Sequence, residues 1–266
     1  MPMRPRRLGA SSAEVSPITF GTMRLNERGL DDAACELLVR ESLARGITSF
    51  HSSSEYETFD RFCALIRRLG ARAKIQHVVK LAEPHFGDAT FDERRLRAKV
   101  EAYLASLGTE RIDIVQWMWR GDLKQEEARL TGFARQRDAI RLSFDALRKE
   151  GKIGAVVTFP YTTGFASAAL AALVGDGLAV YLNPIEKEMV PYIERAAAAG
   201  AGVVAIRPLA AGDAAGAGID VQTCVRDVLS RRGVCTAVVT YSSVQHMEEL
   251  LRAARAVDEA GGPALL

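Results

Sequence analysis

Apolar positions along this chain fall into two alternating rhythms. Short runs rich in Val, Ile and Phe, bounded by Gly or polar residues, read as buried strands, and stretches with apolar residues three and four apart read as amphipathic helices. Residues 3–8 and 14–20, joined by Gly9-Ala10-Ser11-Ser12, predict a hairpin that leads into a first strand ending at Phe20-Gly21-Thr22-Met23. Further strands are predicted at 47–50, 74–79, 112–117, 153–159, 178–182, 203–206 and 236–240. Between them lie helices. Asp31 or Asp32 caps one with Leu37, Leu38 and Ser42 on its apolar face and Gly46 behind it. Others cover 59–69, 92–107, 166–174, 190–199, 221–229 and 244–257, while 123–150 reads as a charged piece followed by a helix carrying Ile140, Phe144 and Leu147. The Ala/Gly-rich run 210–218 reads as a mobile loop.

Eight strands alternating with eight helices predict one α/β domain over 1–266, a parallel (β/α)8 TIM barrel preceded by the hairpin. An open doubly wound dinucleotide fold fits less well, because no G-x-G-x-x-G follows the first strand. In such barrels the chemistry sits where the strands end. Those ends are Gly21-Thr22-Met23, His51 to Tyr56, Lys80, Met118-Trp119-Arg120, Thr158-Phe159, Asn183, Arg207-Pro208-Leu209 and Tyr241-Ser242-Ser243.

Composition narrows the partners. With 48% hydrophobic and 26% charged residues and a formal net charge of +2, the sequence shows no basic patch interleaved with aromatics, so no nucleic-acid partner is expected, and no apolar run of membrane-spanning length. Arg4, Arg6 and Arg7 are followed by Leu8-Gly9-Ala10-Ser11 and not by the apolar core of a signal peptide. Cys35, Cys63, Cys224 and Cys235 lack metal or redox spacing, so reduced thiols in a cytoplasmic protein are expected, with a small molecule as partner and the oligomeric state open. Arginine outnumbers lysine 28 to 7, which makes Lys80 at an apolar strand end conspicuous.

The stretch 46–57, GITSFHSSSEYE, is a short strand that opens into a loop dense with hydroxyl and ionisable groups. Tyr56 and Lys80 are expected to face each other across one pocket, with His51 beside them. Glu55, His85, Trp117, Met118, Trp119 and Phe159 are candidates for the pocket wall. His77 alternates away from Lys80 and should point at the helices. His51, Glu55 and His85 lack ligand spacing, so no metal site is expected.

These strand ends resemble the aldo-keto reductase family. The matching pieces are RLGASSAEVSPITFGTM, RGITSFHSSSEY, the strand ending VVKL, SLGTERIDIVQ, RKEGKIGAVV, IRPLAAG and YSSVQHMEELL. The resemblance implies a barrel closed below by the hairpin, NADPH extended over the strand ends, and carbonyl reduction by a tetrad of Asp, Tyr, Lys and His. Tyr56 and Lys80 fall on the family Tyr and Lys. His51 stands at the Asp position and Met118 at the His position. Gly21, Thr22, Met23, Asn183, Arg207, Leu209, Ser242 and Ser243 are the implied cofactor contacts. Phe159-Pro160 replaces the Ser-Asn that would hold the nicotinamide amide, Ala179 or a neighbour replaces a Gln, and Glu249 stands where it would repel a phosphate.

Three functions follow as expectations. One is NAD(P)H-dependent reduction of a small carbonyl compound, with Tyr56 as acid and the Lys80 charge lowering its pKa. The altered anchors also leave room for a site without nicotinamide. A protonated His51 would depress the Lys80 pKa and favour a lyase, dehydratase or isomerase built on Lys80, Tyr56 and His51. The third is a catalytically silent binding or regulatory protein. Met118 in place of a polar donor would cost on the order of 3 kcal/mol of transition-state stabilisation.

Overall fold

Parallel pairing carries the chain around a complete circle. In the computed structural model, which describes residues 3–26 and 29–262, a short antiparallel hairpin of β1 (Arg6–Arg7) and β2 (Glu14–Val15) precedes eight barrel strands. These are β3 (Ile18–Gly21), β4 (Ser49–Ser52), β5 (Gln76–Ala82), β6 (Ile112–Met118), β7 (Ile153–Thr158), β8 (Gly177–Tyr181), β9 (Gly202–Ile206) and β10 (Val234–Val239), with β10 closing on β3. Around them lie α1 (Asp32–Ala44), α2 (Phe59–Arg68), α3 (Glu93–Leu107), α4 (Glu126–Lys149), α5 (Thr163–Ala172), α6 (Val190–Ala198), α7 (Asp213–Gly216), α8 (Val221–Leu229) and α9 (Val244–Glu259). The (β/α)8 architecture read from the hydrophobic rhythm is the one observed.

Because side chains alternate across a strand, each barrel strand serves two cores. Val78, Ala82, Ile114, Met118, Ala155 and Val157 fill the interior. Val79, Leu81, Val115 and Trp117 pack outward in the larger cluster shared with the helices. Helix starts are fixed by side-chain oxygens that satisfy otherwise unpaired amides. Asp31 accepts from the Ala34 amide, Asp92 from Arg95, Asp220 from Thr223 and Ser243 from His246.

The hairpin is the floor. Leu8 and Val15 are fully buried in the interior cluster. Its turn fits because backbones touch there: a Cβ on Gly9 would stand 2.5 Å from the Gly200 carbonyl oxygen, and one on Gly202 would stand 2.7 Å from the Gly9 amide nitrogen. Only glycine permits this approach. The opposite end stays available for chemistry.

Two segments depart most from expectation. The segment 123–150 is mostly one 24-residue helix, since Arg129 and Phe133 are buried and extend the packed stripe N-terminally. The run 210–218 is not a plain loop. It holds a 3-10 turn, Ala210–Gly212, and then α7, because alanine favours helix and Ala214 packs beside Cys224. Among the described residues no helix is long and apolar enough to cross a membrane. All four cysteines are unpaired and buried.

Candidate active site

The site follows from strand parity. On β4, Phe50 packs outward and His51 turns inward, paired in register with Val78 of β5. Two residues beyond Val78, Lys80 also points inward, opposite Gln116 of β6. The loop after β4 carries Tyr56 and is pinned by Tyr103 of α3, whose hydroxyl donates to the Lys80 carbonyl at 2.8 Å and accepts from the Ser54 amide at 2.7 Å. A cavity of about 560 Å³ results, within the range of small-molecule sites. Its inner end is lined by His51, Tyr56, Lys80, Gln116, Met118 and Phe159. Its outer end is lined by Met23, Arg207 and Leu209, and Gly21, in register with His51, lines it further in.

The charges are arranged differently from the sequence-based expectation. His51 is 4% exposed, and its Nε2 lies 3.0 Å from Gln116 Oε1. Burial, helped by the nearby Lys80 charge and opposed by the Gln116 bond, pushes its pKa down to about 4. His51 is therefore neutral, and the like charge that a protonated His51 would place beside Lys80 does not arise. Lys80 Nζ is 3.1 Å from Glu55 Oε2 and lies over the Tyr56 ring, 4.9 Å from its centroid. The carboxylate that the sequence lacked on the second strand comes from the following loop.

Glu55 is held by more than Lys80. Arg120 grips it with two bonds, Nη1 to Oε1 at 2.7 Å and Nη2 to Oε2 at 2.6 Å. Burial alone would raise the Glu55 pKa, but the Arg120 bonds and the Lys80 charge overcome that and hold it at about 2. Tyr56 moves the other way. Burial first, and then the Glu55 carboxylate, push its hydroxyl well above the ordinary tyrosine range, and Arg120 offsets this only partly. The expectation that a lysine charge lowers the Tyr56 pKa is corrected: Lys80 faces the ring and its partner is Glu55.

Several predicted site residues lie elsewhere. Trp117 and Trp119 do not line the cavity. Both point outward, packed against Phe133, because they alternate with inward-facing Met118. Asn183 is fully buried and spends its side chain on its own turn, accepting from the Ile185 and Glu186 amides and donating to Glu186 and the Arg207 carbonyl. Thr22 is buried and donates to the His51 carbonyl. Ser243 is consumed as the cap of α9, and Ser242 lies 3.5 Å from His246 Nδ1. Glu55 and His85 line a smaller side pocket of about 240 Å³ that shares Lys80 with the main cavity. Among the described residues no cluster suited to a metal ion occurs.

Sequence reasoning missed Gln116, Tyr161 and Tyr181, which line the cavity, and named Arg120 only within a strand end. Gln116 shares the inward parity of Met118 and restores a polar group where Met118 has none. Arg120 is 6% exposed and gathers the rim.

Burial of the histidines gives a stability prediction. His77 points at the helices as expected, 1% exposed, and burial lowers its pKa to about 4 as well. The unfolded chain binds protons near pH 6.5 at both positions while the folded chain does not, so stability present above 6.5 is lost as pH falls toward 4. The two histidines together should contribute a loss on the order of a few kcal/mol. Urea midpoints measured between pH 6.5 and 5, above the titration of ordinary carboxylates, should fall with pH, and His77→Leu should flatten the slope. A flat wild-type profile would contradict buried neutral histidines.

The fold and the site together define a (β/α)8 barrel with a tyrosine–lysine pair at its mouth. The model of the aldo/keto reductase family matches residues 17–220, and the chain belongs to that family. Among solved structures, one described as an aldo-keto reductase from Pseudomonas aeruginosa is 28% identical, covers 95% of each chain and superposes with a TM-score of 0.74. An aldo/keto reductase from Klebsiella pneumoniae, solved with NADP and acetate, is 21% identical over 95% of this chain and 90% of its own, with a TM-score of 0.68. A holo-form aldo-keto reductase from Bacillus halodurans is 18% identical over 94% and 90%, with a TM-score of 0.71. The latter two share the fold. Comparison with curated proteins gives no match.

Proposed function

We propose that this protein reduces a small carbonyl compound with a nicotinamide dinucleotide as hydride donor. The observation that carries this reading is the convergence of Tyr56, Lys80 and His51 on one cavity, with Glu55 supplying the carboxylate partner of Lys80. Family membership and the NADP held by a neighbour of the same fold support it. An imine mechanism asks for a free amine, and Lys80 in an ion pair with Glu55 is poorly placed to be one.

The outer end of the cavity fits the dinucleotide. Arg207 lies there, its Nη1 3.4 Å from Glu186 Oε1, its buried Nε unpartnered and its guanidinium 4.9 Å from the Tyr181 ring centroid. Tyr181 is 40% exposed. Arg207 would hold a phosphate, Tyr181 would flank a ring, and Gly212 and Ala215 leave space beside them. A bound NAD(P)H would supply a hydride to the substrate carbonyl.

The chain's own residues then have distinct tasks. Tyr56, kept protonated, gives its hydroxyl proton to the developing alkoxide. With Gln116 Oε1 facing His51 Nε2, the neutral imidazole carries its proton on Nε2. The Gln116 amide nitrogen is then left to donate toward the carbonyl oxygen, the task Met118 cannot perform. Met118 and Phe159 keep water from the reacting carbon.

Calorimetric titration with NADPH and NADH tests the reading. Trp117 and Trp119 lie outside the cavity, so the nucleotide's own fluorescence is the better optical signal. Micromolar binding followed by turnover of small aldehydes is expected; absence of binding up to millimolar nucleotide would overturn it.

A further inference from the structure

Arg120 stands outside the cavity yet touches the loops that build it. Its Nη1 and Nη2 hold Glu55 after β4, Nη1 also lies 2.7 Å from His85 Nε2 after β5, and Nε donates at 3.0 Å to the Tyr161 hydroxyl after β7. The guanidinium lies 4.7 Å from the Phe86 ring centroid. Its own backbone amide donates to the Pro84 carbonyl. Tyr161 is a non-glycine residue at φ +63°, and its hydroxyl also reaches Met118 Sδ at 3.3 Å. Four successive loops thus meet on one planar cation whose fork suits a carboxylate bidentately.

We propose that Arg120 is a positioning residue that holds Glu55 onto Lys80 and Tyr161 onto Met118, so fixing the proton-donor side of the cavity. Glu55 is on an exposed loop and 31% exposed, and without Arg120 its remaining side-chain partners among the described residues are Lys80 and His85. Loss of Arg120 therefore frees the carboxylate to turn into solvent, and Lys80 loses its partner. A lysine in Arg120's place would offer one point charge where the guanidinium makes several directed bonds.

This inference deepens the reductase reading and rests on it for its catalytic meaning, but its test does not need turnover. The full chain and its Arg120→Met, Arg120→Lys, Glu55→Gln and Arg120→Met/Glu55→Gln variants would be pulsed with an acetylating reagent at neutral pH. Labelling of Lys80 would be read by peptide mass spectrometry. Lys152, which pairs with Glu101 and Glu150 away from this network, is the internal control. Arg120→Met and Glu55→Gln should each raise the Lys80 labelling rate about three- to tenfold, with Arg120→Lys intermediate, and the double variant should label no faster than Glu55→Gln alone. Unchanged or slower labelling of Lys80 in Arg120→Met, multiplication of the two effects in the double variant, or a parallel rise at Lys152 would each overturn the proposal. If the nucleotide titration fails while these labelling results hold, the reductase reading falls and the positioning role stands. Where turnover is seen, Arg120→Met should lower kcat more than it raises KM, and Arg120→Lys should restore part of the loss.

Discussion

Tyr56→Phe should leave the barrel folded and the nucleotide bound, and lower kcat for carbonyl reduction by about 10²- to 10⁴-fold, the range of a positioned general acid. The substitution removes one hydroxyl and keeps the ring that lies under Lys80, so packing changes little. A KM change without a kcat change would assign Tyr56 to binding, and unaltered kinetics would remove it from the mechanism. The pH profile adds a second check. Because burial and Glu55 hold the Tyr56 hydroxyl above its ordinary range, activity should not decline through loss of this acid in the mildly alkaline region. Glu55→Gln removes one of the two main upward influences, so the phenolate should form at lower pH in that variant, read by ultraviolet difference absorbance.

The tyrosine and the lysine were legible in sequence because each is fixed by a local pattern: a strand that stops in a polar loop, and a lysine at the inward parity of an apolar strand. The rest of the network was not local. Arg120 and Glu55 are separated by 65 positions, and nothing in either neighbourhood announces the other. Their meeting depends on β5 lying between β4 and β6, a neighbour order that the fold supplies and the local sequence does not. Gln116 was within reach of sequence reasoning, since it stands two residues before Met118 and must share its face. Asn183 also carried a local signal. Asn followed by Pro commonly bonds its own turn, and the expectation of a cofactor contact there lost to that shorter-range bond.

Composition misled at 210–218. Alanine and glycine together suggested a linker, yet alanine is the strongest helix former, and one buried methyl at Ala214 beside Cys224 was enough to settle a turn of helix. The strand boundaries show the same balance. β5 runs three residues beyond the expected end at 79, because Lys80, Leu81 and Ala82 keep pairing with Gln116, Trp117 and Met118. An inward lysine near the barrel mouth still reaches an ionic partner, so its charge did not end the strand.

The clearest separation of core from pocket is at Trp117. Trp117→Ala should cost about 3–5 kcal/mol of stability, the range of a large buried aromatic truncated in a packed core. Trp117 is fully buried against Trp119, Phe133 and Phe144, with ring centroids 5.8 to 6.4 Å away, and its Nε1 donates to the Glu83 carbonyl at 2.8 Å. Trp117→Phe keeps most of the apolar contact but leaves that carbonyl without its donor, a loss of about 1–3 kcal/mol. Glu83 also accepts from Lys99 and Arg95, so the bond ties the end of β5 to α3 as well as to β6. Chemical unfolding would measure both variants, and nucleotide titration on the folded fraction of Trp117→Phe would complete the test. Stability should fall while the dissociation constant stays put, because the indole lies behind the strand wall. A stability loss below about 1 kcal/mol together with a weakened dissociation constant would return Trp117 to the pocket, and with it the alternation that places Gln116 and Met118 inside.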